Sequence, residues 1–401
     1  MGLGCPGAHR SVTPRWAAAR WNPLNRKGQV VAALGVAAAL GSLLLEPTDA
    51  RSAAGQVWSP FVLVTGLLLV GLVADQDGLF AAAGYRLASA ASGPVMLFAG
   101  AAVLVVVVTA LLNLDTSVVF LTPVLVHAAR SRGRDERPLV IACVLLSNAG
   151  SLLLPGSNLT NLIVLGHLRL SGGGFLAHMA LPWVVGAVVT GAVVAVAERR
   201  TLRHGSAAPR SGPVAPSASS LGLGAAAIVA VAVLILALPS PALPVAAIGV
   251  ATVAIRLHAH RLEGNRVRSL LGAPVLVGLF GIAMALGTLG RAWSGPATLL
   301  AHLNAVETAL FSAGVSVLVN NLPAASILAA RVPPHPFALL VGLDIGPNLF
   351  VTGSLAWVLW LRTARAAGST PPLRRAIGLG LITAPLAMAG ALGALAVTGV
   401  H

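Results

Sequence analysis

Polar side chains gather at four places in an otherwise apolar chain of 401 residues. Asn113, Asp115, Thr116 and Ser117 form the first cluster; Ser147, Asn148, Ser151, Ser157, Asn158, Thr160 and Asn161 form the second. Asn320 and Asn321 form the third, and Asp344, Asn348, Thr352 and Ser354 the fourth. Amides and hydroxyls of this kind, with the positive ends of half-helices, suit a small oxygen-rich solute. No Lys or Arg lies within the clusters, so a strongly anionic solute would depend on helix ends or a bound cation. Ser and Asn oxygens together with backbone carbonyls could also hold sodium.

Of the eleven acidic residues, Asp115, Glu307 and Asp344 are the ones at membrane depth. A charge there is costly and functional by default. Asp115 and Asp344 are therefore the candidate proton carriers; an ion pair or a helix cap is the alternative for either. Glu307 precedes Asn320 by thirteen residues. That is about 20 Å of helix, enough to place it near a surface. Cys143 stands one helical turn before Ser147, and a lone buried thiol is more often a small hydrophobe than a ligand. His127, His167, His178 and His302 fall at the ends of apolar runs and read as interfacial. Cys5 and Cys143 cannot build a disulfide framework or a CxxC metal site. No HExxH, GxSxG or P-loop occurs, so neither an enzyme nor a resident cofactor is expected, and any use of ATP would need another subunit.

These clusters must be held by a scaffold whose solvent is lipid. Hydrophobic residues make up 57% of the chain and charged residues 9%, against about 25% charged in a soluble domain. The net charge of +15 is spread over short loops between apolar runs rather than along one stripe, which removes a nucleic-acid role. Runs able to form membrane helices lie near 28–45, 56–74, 94–112, 117–129, 138–165, 174–197, 220–238, 243–257, 271–290, 296–330, 337–361 and 376–398. The segment 75–92 reads as a short interfacial helix. If 94–130 and 296–331 are each hairpins with polar tips, almost every Lys and Arg falls on one face. Only Arg51, Arg169, Arg291 and Arg331 fall elsewhere. The positive-inside rule then puts the N-terminus in the cytoplasm and His401 outside. Full crossings in place of the hairpins give the same sidedness. The apolar run after residue 28 is long for a signal sequence, so it is read as a retained span; Ala50, Ser52 and Ala54 leave cleavage as the alternative.

The two halves repeat. ALLNLDTSVVFLTPVLVHAAR (110–130) precedes SNAGSLLLPGSNLTNLIVLGHLR (147–169), and VSVLVNNLPAASILAARV (315–332) precedes GLDIGPNLFVTGSLAWVLWLR (342–362). Each half thus offers a polar-tipped hairpin and then a helix broken by Pro, Gly, Asn and Ser. The expected fold is an all-α polytopic membrane protein of two inverted repeats, each with a re-entrant hairpin and a broken transmembrane helix. Its parts are a basic cytoplasmic tail (1–27), a first repeat (28–197), a polar linker (198–219), and a connector helix with the second repeat (220–401). Matched interruptions of this kind point to a transporter's midplane site. A channel has no need of two inverted gated units.

The segments NLDTSVVFLTP, SNAGSLLLPGSNLTNLI, VNNLPA and LDIGPNLFVTGSLAWVLWLR resemble those of the ArsB-type arsenite permeases, within the ArsB/NhaD ion transporter superfamily. The resemblance covers most of 56–398. It implies elevator-type alternating access, export of arsenite or antimonite against inward proton flow, and a multi-pass location in the plasma membrane. Implied partners are the solute, protons, sodium in related branches, lipid, a second copy in a homodimer, and a separate ATPase subunit in some systems. Arsenous acid is largely uncharged at neutral pH and needs no cationic clamp. On this reading the solute is bound by Asn113, Thr116, Ser147, Asn148, Ser157, Asn158, Asn161, Asn320, Asn321, Asn348, Thr352 and Ser354. Sodium/proton antiport or carriage of a small, dicarboxylate-like anion is the superfamily's alternative.

Overall fold

The structure is a computed structural model that describes residues 26–166, 168, 170–204 and 222–399. Most of the basic tail, His167, Arg169, His401 and most of the polar linker lie outside the described residues. Among the described residues every regular element is helical, as lipid demands of a chain that must satisfy its own backbone groups. The first half runs α1 (Arg26–Leu45), α2 (Pro47–Gln76), α3 (Leu79–Ala90), α4 (Pro94–Leu111), α5 (Leu114–Ser131), α6 (Arg137–Gly150), α7 (Leu159–Leu165), α8 (Gly172–Ala197) and α9 (Arg199–His204). The second runs α10 (Leu223–Ala237), α11 (Ala242–His258), α12 (Gly264–Leu271), α13 (Ala273–Ala292), α14 (Gly295–His302), α15 (Ala305–Val319), α16 (Asn321–Leu328), α17 (Pro336–Ile345), α18 (Leu355–Ala366) and α19 (Leu373–Val397). Six stretches are long and apolar enough to cross a bilayer: Gly28–Leu45, Pro47–Gln76, Pro94–Leu111, Gly172–Ala197, Gly264–Ala292 and Leu373–Val397.

The expected hairpins are α4–α5 and α15–α16, each followed by a broken element. In the first half α6 and α7 flank a tight turn at Pro155–Ser157; in the second, α17 and α18 flank one at Gly346–Leu349. The helices that close the halves, α8 and α19, pack on each other. Helices α1, α2, α10, α11, α12 and α13 form a frame beside these units. Small residues set its spacing: Gly35 of α1 meets Gly278 and Gly281 of α13 backbone to backbone, and Gly66 of α2 meets Ala246 and Gly249 of α11.

Three boundaries differ from the sequence expectation. The run at 56–74 is the later part of a 30-residue helix that begins at Pro47, where proline's missing N–H is harmless. The run at 296–330 is split. Asn304 accepts from Glu307 N at 3.0 Å, and the Glu307 carboxylate takes Asn304 N at 2.9 Å, so a new helix starts there. That bond explains Glu307 as a cap. Within the segment 75–92 the helix α3 spans Leu79–Ala90 and packs one face on the protein: Phe80, Gly84 and Ala88 are buried, and Phe80 stacks on Phe120 of α5 at 5.2 Å.

Ion pairs join the ends that carry the arginine clusters. Arg256 binds Asp77 at 2.6 Å, Arg266 binds Asp75 at 2.5 Å, and Arg375 binds Glu198 at 2.7 Å. Arg130 donates to Glu136 at 2.7 Å and to the carbonyls of Ala367 and Gly368 at 3.2 and 2.9 Å, while Ser369 Oγ donates to Glu136 at 3.1 Å. Partial burial pushes the Glu136 carboxyl up, but the bond to Arg130 and its charge outweigh this and hold it below the usual range. A carboxylate held down in the folded state contributes fully above its unfolded value and is lost as pH falls through the folded one. Melting temperature in detergent should therefore drop on acidification below about pH 4.5. Glu136→Gln should lower it near neutral pH and flatten that acid-side fall; an unaltered profile contradicts the assignment.

Candidate functional site

Each interruption foreseen in the sequence is the start of a helix. Asn113 caps α5, its Oδ1 accepting from Thr116 N at 2.7 Å. Asn158 caps α7 by accepting from Thr160 N at 3.4 Å. Asn320 caps α16 by accepting from Leu322 N at 3.4 Å, and Ser354 stands at the N-cap of α18. Asn320 does so with φ at +81°, a left-handed conformation that a non-glycine residue holds only under constraint. Its Nδ2 donates to Thr352 O at 3.1 Å, and Asn321 N donates to Gly353 O at 2.8 Å, which together pin the tip to the second break.

The four starts converge on one pocket. Asn113, Leu114, Asp115, Ser157, Asn158 and Leu159 line it from the first half; Asn320, Asn321, Leu322 and Leu355 line it from the second. Val64 of α2 and Leu279 of α13 complete the wall. The lining contains no Lys, Arg or His. The positive ends of these helices and a few amides are its only attraction for negative charge.

Asp344 sits behind this pocket. It is fully buried, and its Oδ1 accepts from Asn158 Nδ2 at 2.9 Å and Thr160 Oγ1 at 2.7 Å. Asn158 therefore touches both the pocket and the carboxylate. A second bond crosses the halves: Asn148 Nδ2, near the end of α6, donates to Asn348 Oδ1 in the second break at 2.9 Å, and Asn348 Nδ2 donates to Leu145 O at 2.9 Å. Gly380 lets α19 lie against the Asn348 carbonyl, where a Cβ would collide.

Buried side-chain atoms with no hydrogen-bond partner concentrate here. Among the described residues they include Asn113 Nδ2, Asp115 Oδ1, Thr116 Oγ1, Asn148 Oδ1, Asn161 Oδ1, Asp344 Oδ2 and Ser354 Oγ, seven of twelve. Such a group costs about 1–3 kcal/mol when left unpaired.

The site residues thus fall into two groups. Asn113, Asp115, Ser157, Asn158, Asn320 and Asn321 line the pocket. Thr116, Ser147, Asn148, Asn161, Asn348, Thr352 and Ser354 stand outside the lining, and several hold the breaks in shape. Ser147 Oγ donates to Val144 O at 3.0 Å, Asn161 Nδ2 to Ser151 O at 2.8 Å, and Thr352 Oγ1 to Val317 O at 2.5 Å. Cys143 is fully buried at the contact of α5 and α6, 3.5 Å from Thr122 Oγ1, and does not reach the pocket. Val64 and Leu279 were not foreseen, because in sequence they look like any other residue of an apolar span.

Broken helices from two matched halves, meeting around one largely apolar pocket into which Asn113, Asp115, Ser157, Asn158, Asn320 and Asn321 bring their polar groups, inside a membrane-spanning bundle, define a secondary transporter of small ions or anions. Residues 17–360 match the citrate transporter family (CitMHS), and the chain belongs to that family. The fold is similar to the crystal structure of the YdaH transporter of Alcanivorax borkumensis, described as having an unusual topology, with a TM-score of 0.57 and 16% identity over 88% of each chain. At that identity the likeness speaks to the fold alone.

Proposed function

We propose that this chain exports arsenite or antimonite in exchange for protons, by alternating access, across the plasma membrane with its N-terminus in the cytoplasm. The observation that carries this reading is the pocket itself. It offers neutral amides and hydroxyls, one unpartnered carboxylate oxygen on Asp115, and no fixed cation. An uncharged, hydroxyl-bearing solute satisfies such groups without paying for an uncompensated charge. Asp344, joined to the pocket through Asn158, is the proposed proton carrier, with Asp115 as the second. Residues 28–197 and 220–401 are the proposed inverted repeats, joined by the linker 198–219. A homodimer and a separate ATPase subunit are proposals resting on the resemblance alone.

Membership of a family described as citrate transporters favours a second reading, carriage of a small carboxylate. That solute would be held by helix ends and by a cation such as sodium, since the lining supplies no positive side chain. The test is expression in an arsenite-sensitive strain. Tolerance should rise and cell arsenic should fall relative to an Asp344→Asn control. Unchanged accumulation, with citrate or sodium uptake in vesicles instead, rejects arsenite in favour of the second reading.

A further inference from the structure

Gln56 of α2 meets the far ends of both short helices that begin at the pocket. Its Nε2 donates to Ile163 O of α7 at 2.9 Å and to the carbonyl of Ala329, the C-cap of α16, at 2.8 Å. Its Oε1 accepts from Arg291 Nη2 at 2.6 Å. Arg291, in the last turn of α13, also donates to Gly287 O at 2.9 Å, and its own carbonyl accepts from Arg331 Nη2 at 2.6 Å. One amide therefore satisfies a carbonyl in each half of the molecule, and a guanidinium holds that amide in place. Ile163 O also accepts from Gly166 N at 3.3 Å, so the amide adds a second bond there, and a cation near the C-terminal ends of helices is favourable.

The same two frame helices line the pocket. Val64 lies about 12 Å along α2 from Gln56, and Leu279 about 18 Å along α13 from Arg291. In both helices the step from the pocket leads away from the end where Asp75 and Asp77 pair with Arg266 and Arg256. The bonds thus tie the frame to both half-helices on the arginine-poor side of the pocket. Arg291 and Arg331 are two of the four basic residues that the sequence puts on that face.

We propose that Gln56 and Arg291 are positioning residues that form a clasp: it seats α7 and α16 against α2 and α13 in this state and must release when the pocket opens to the arginine-poor face. The inference rests on the alternating-access reading above. It gives Gln56 a role in the population of states rather than in contact with the solute.

The test is cysteine accessibility in proteoliposomes, using Val64→Cys in a background with Cys5→Ser and Cys143→Ser. A membrane-impermeant thiol reagent is added on each side in turn. Adding Gln56→Ala should raise labelling from the arginine-poor face about tenfold, the shift expected from losing one net charge-assisted bond. Arg291→Gln should move it in the same direction. In a separate variant, Gln56→Cys and Ala329→Cys joined by a reducible bifunctional cross-linker should stop transport, and reduction should restore it. Labelling left unchanged by Gln56→Ala, or transport that continues through the cross-link, overturns the clasp. Labelling needs no transported solute, so a parent protein that fails to move arsenite rejects the functional reading without touching this measurement.

Discussion

Asp344→Asn uncouples the protein: flux driven by an imposed pH gradient should fall by roughly 100-fold or more, the usual scale of a lost proton-transfer group. The substitution is chosen because the side chain keeps its shape. The amide oxygen can still accept from Asn158 and Thr160, which bind Oδ1 in the native protein at 2.9 and 2.7 Å. What disappears is the ability of the opposite oxygen, Oδ2, to carry a proton in a fully buried setting where it has no partner. Solute exchange without a gradient requires no net proton movement, so counterflow in the same proteoliposomes should survive. Loss of both activities would make Asp344 a structural anchor. Full gradient-driven flux would remove it from the coupling altogether.

Asn158→Ala should have the second largest effect, on affinity rather than on coupling alone. Three roles end together. The cap of α7 is worth about 1 kcal/mol, and the bond to the Asp344 carboxylate about 1.5–3 kcal/mol if that group is charged. The third role is the amide presented to the pocket. Not all of this reaches the solute, since part is spent in the stability of the break. A 10–100-fold weakening of solute binding, about 1.4–2.8 kcal/mol, is the expected share. Asn158→Ser keeps a capping oxygen and should recover stability more than affinity, which isothermal calorimetry and thermal melting on the same preparation can separate. Equal recovery of both would assign Asn158 to the scaffold.

Why the site was readable while its walls were not follows from what each residue type tolerates. Asn113, Asn158 and Asn320 announce themselves because an amide in an apolar run must be capping, bridging or binding, and each proves to cap a helix at the pocket. Asp344 announces itself by charge, yet nothing in its sequence position says that it stands behind Asn158 rather than in the lining. Asn148 and Asn348 each stand out as an amide in an apolar run, but the bond between them depends on how the halves close on each other. Val64 and Leu279 carry no signal, since any aliphatic residue would serve a membrane span equally well. The start of α15 is written in the sequence: Asn304 followed three residues later by Glu307 is a capping pattern inside the apolar run 296–330. Gln56 is one of several polar residues in the first part of α2, beside Asp49, Arg51, Ser52 and Ser59, and only the meeting of α7, α13 and α16 around it gives it a part.

The central claim, that interrupted helices of both halves build one binding site, is tested most directly by a structure of the protein in lipid nanodiscs with antimonite, whose heavy atom locates itself. Density should appear between Asn113, Asp115 and Asn158 on one side and Asn320 and Asn321 on the other. Density beside Cys143, or against a surface reached by only one half, would contradict it.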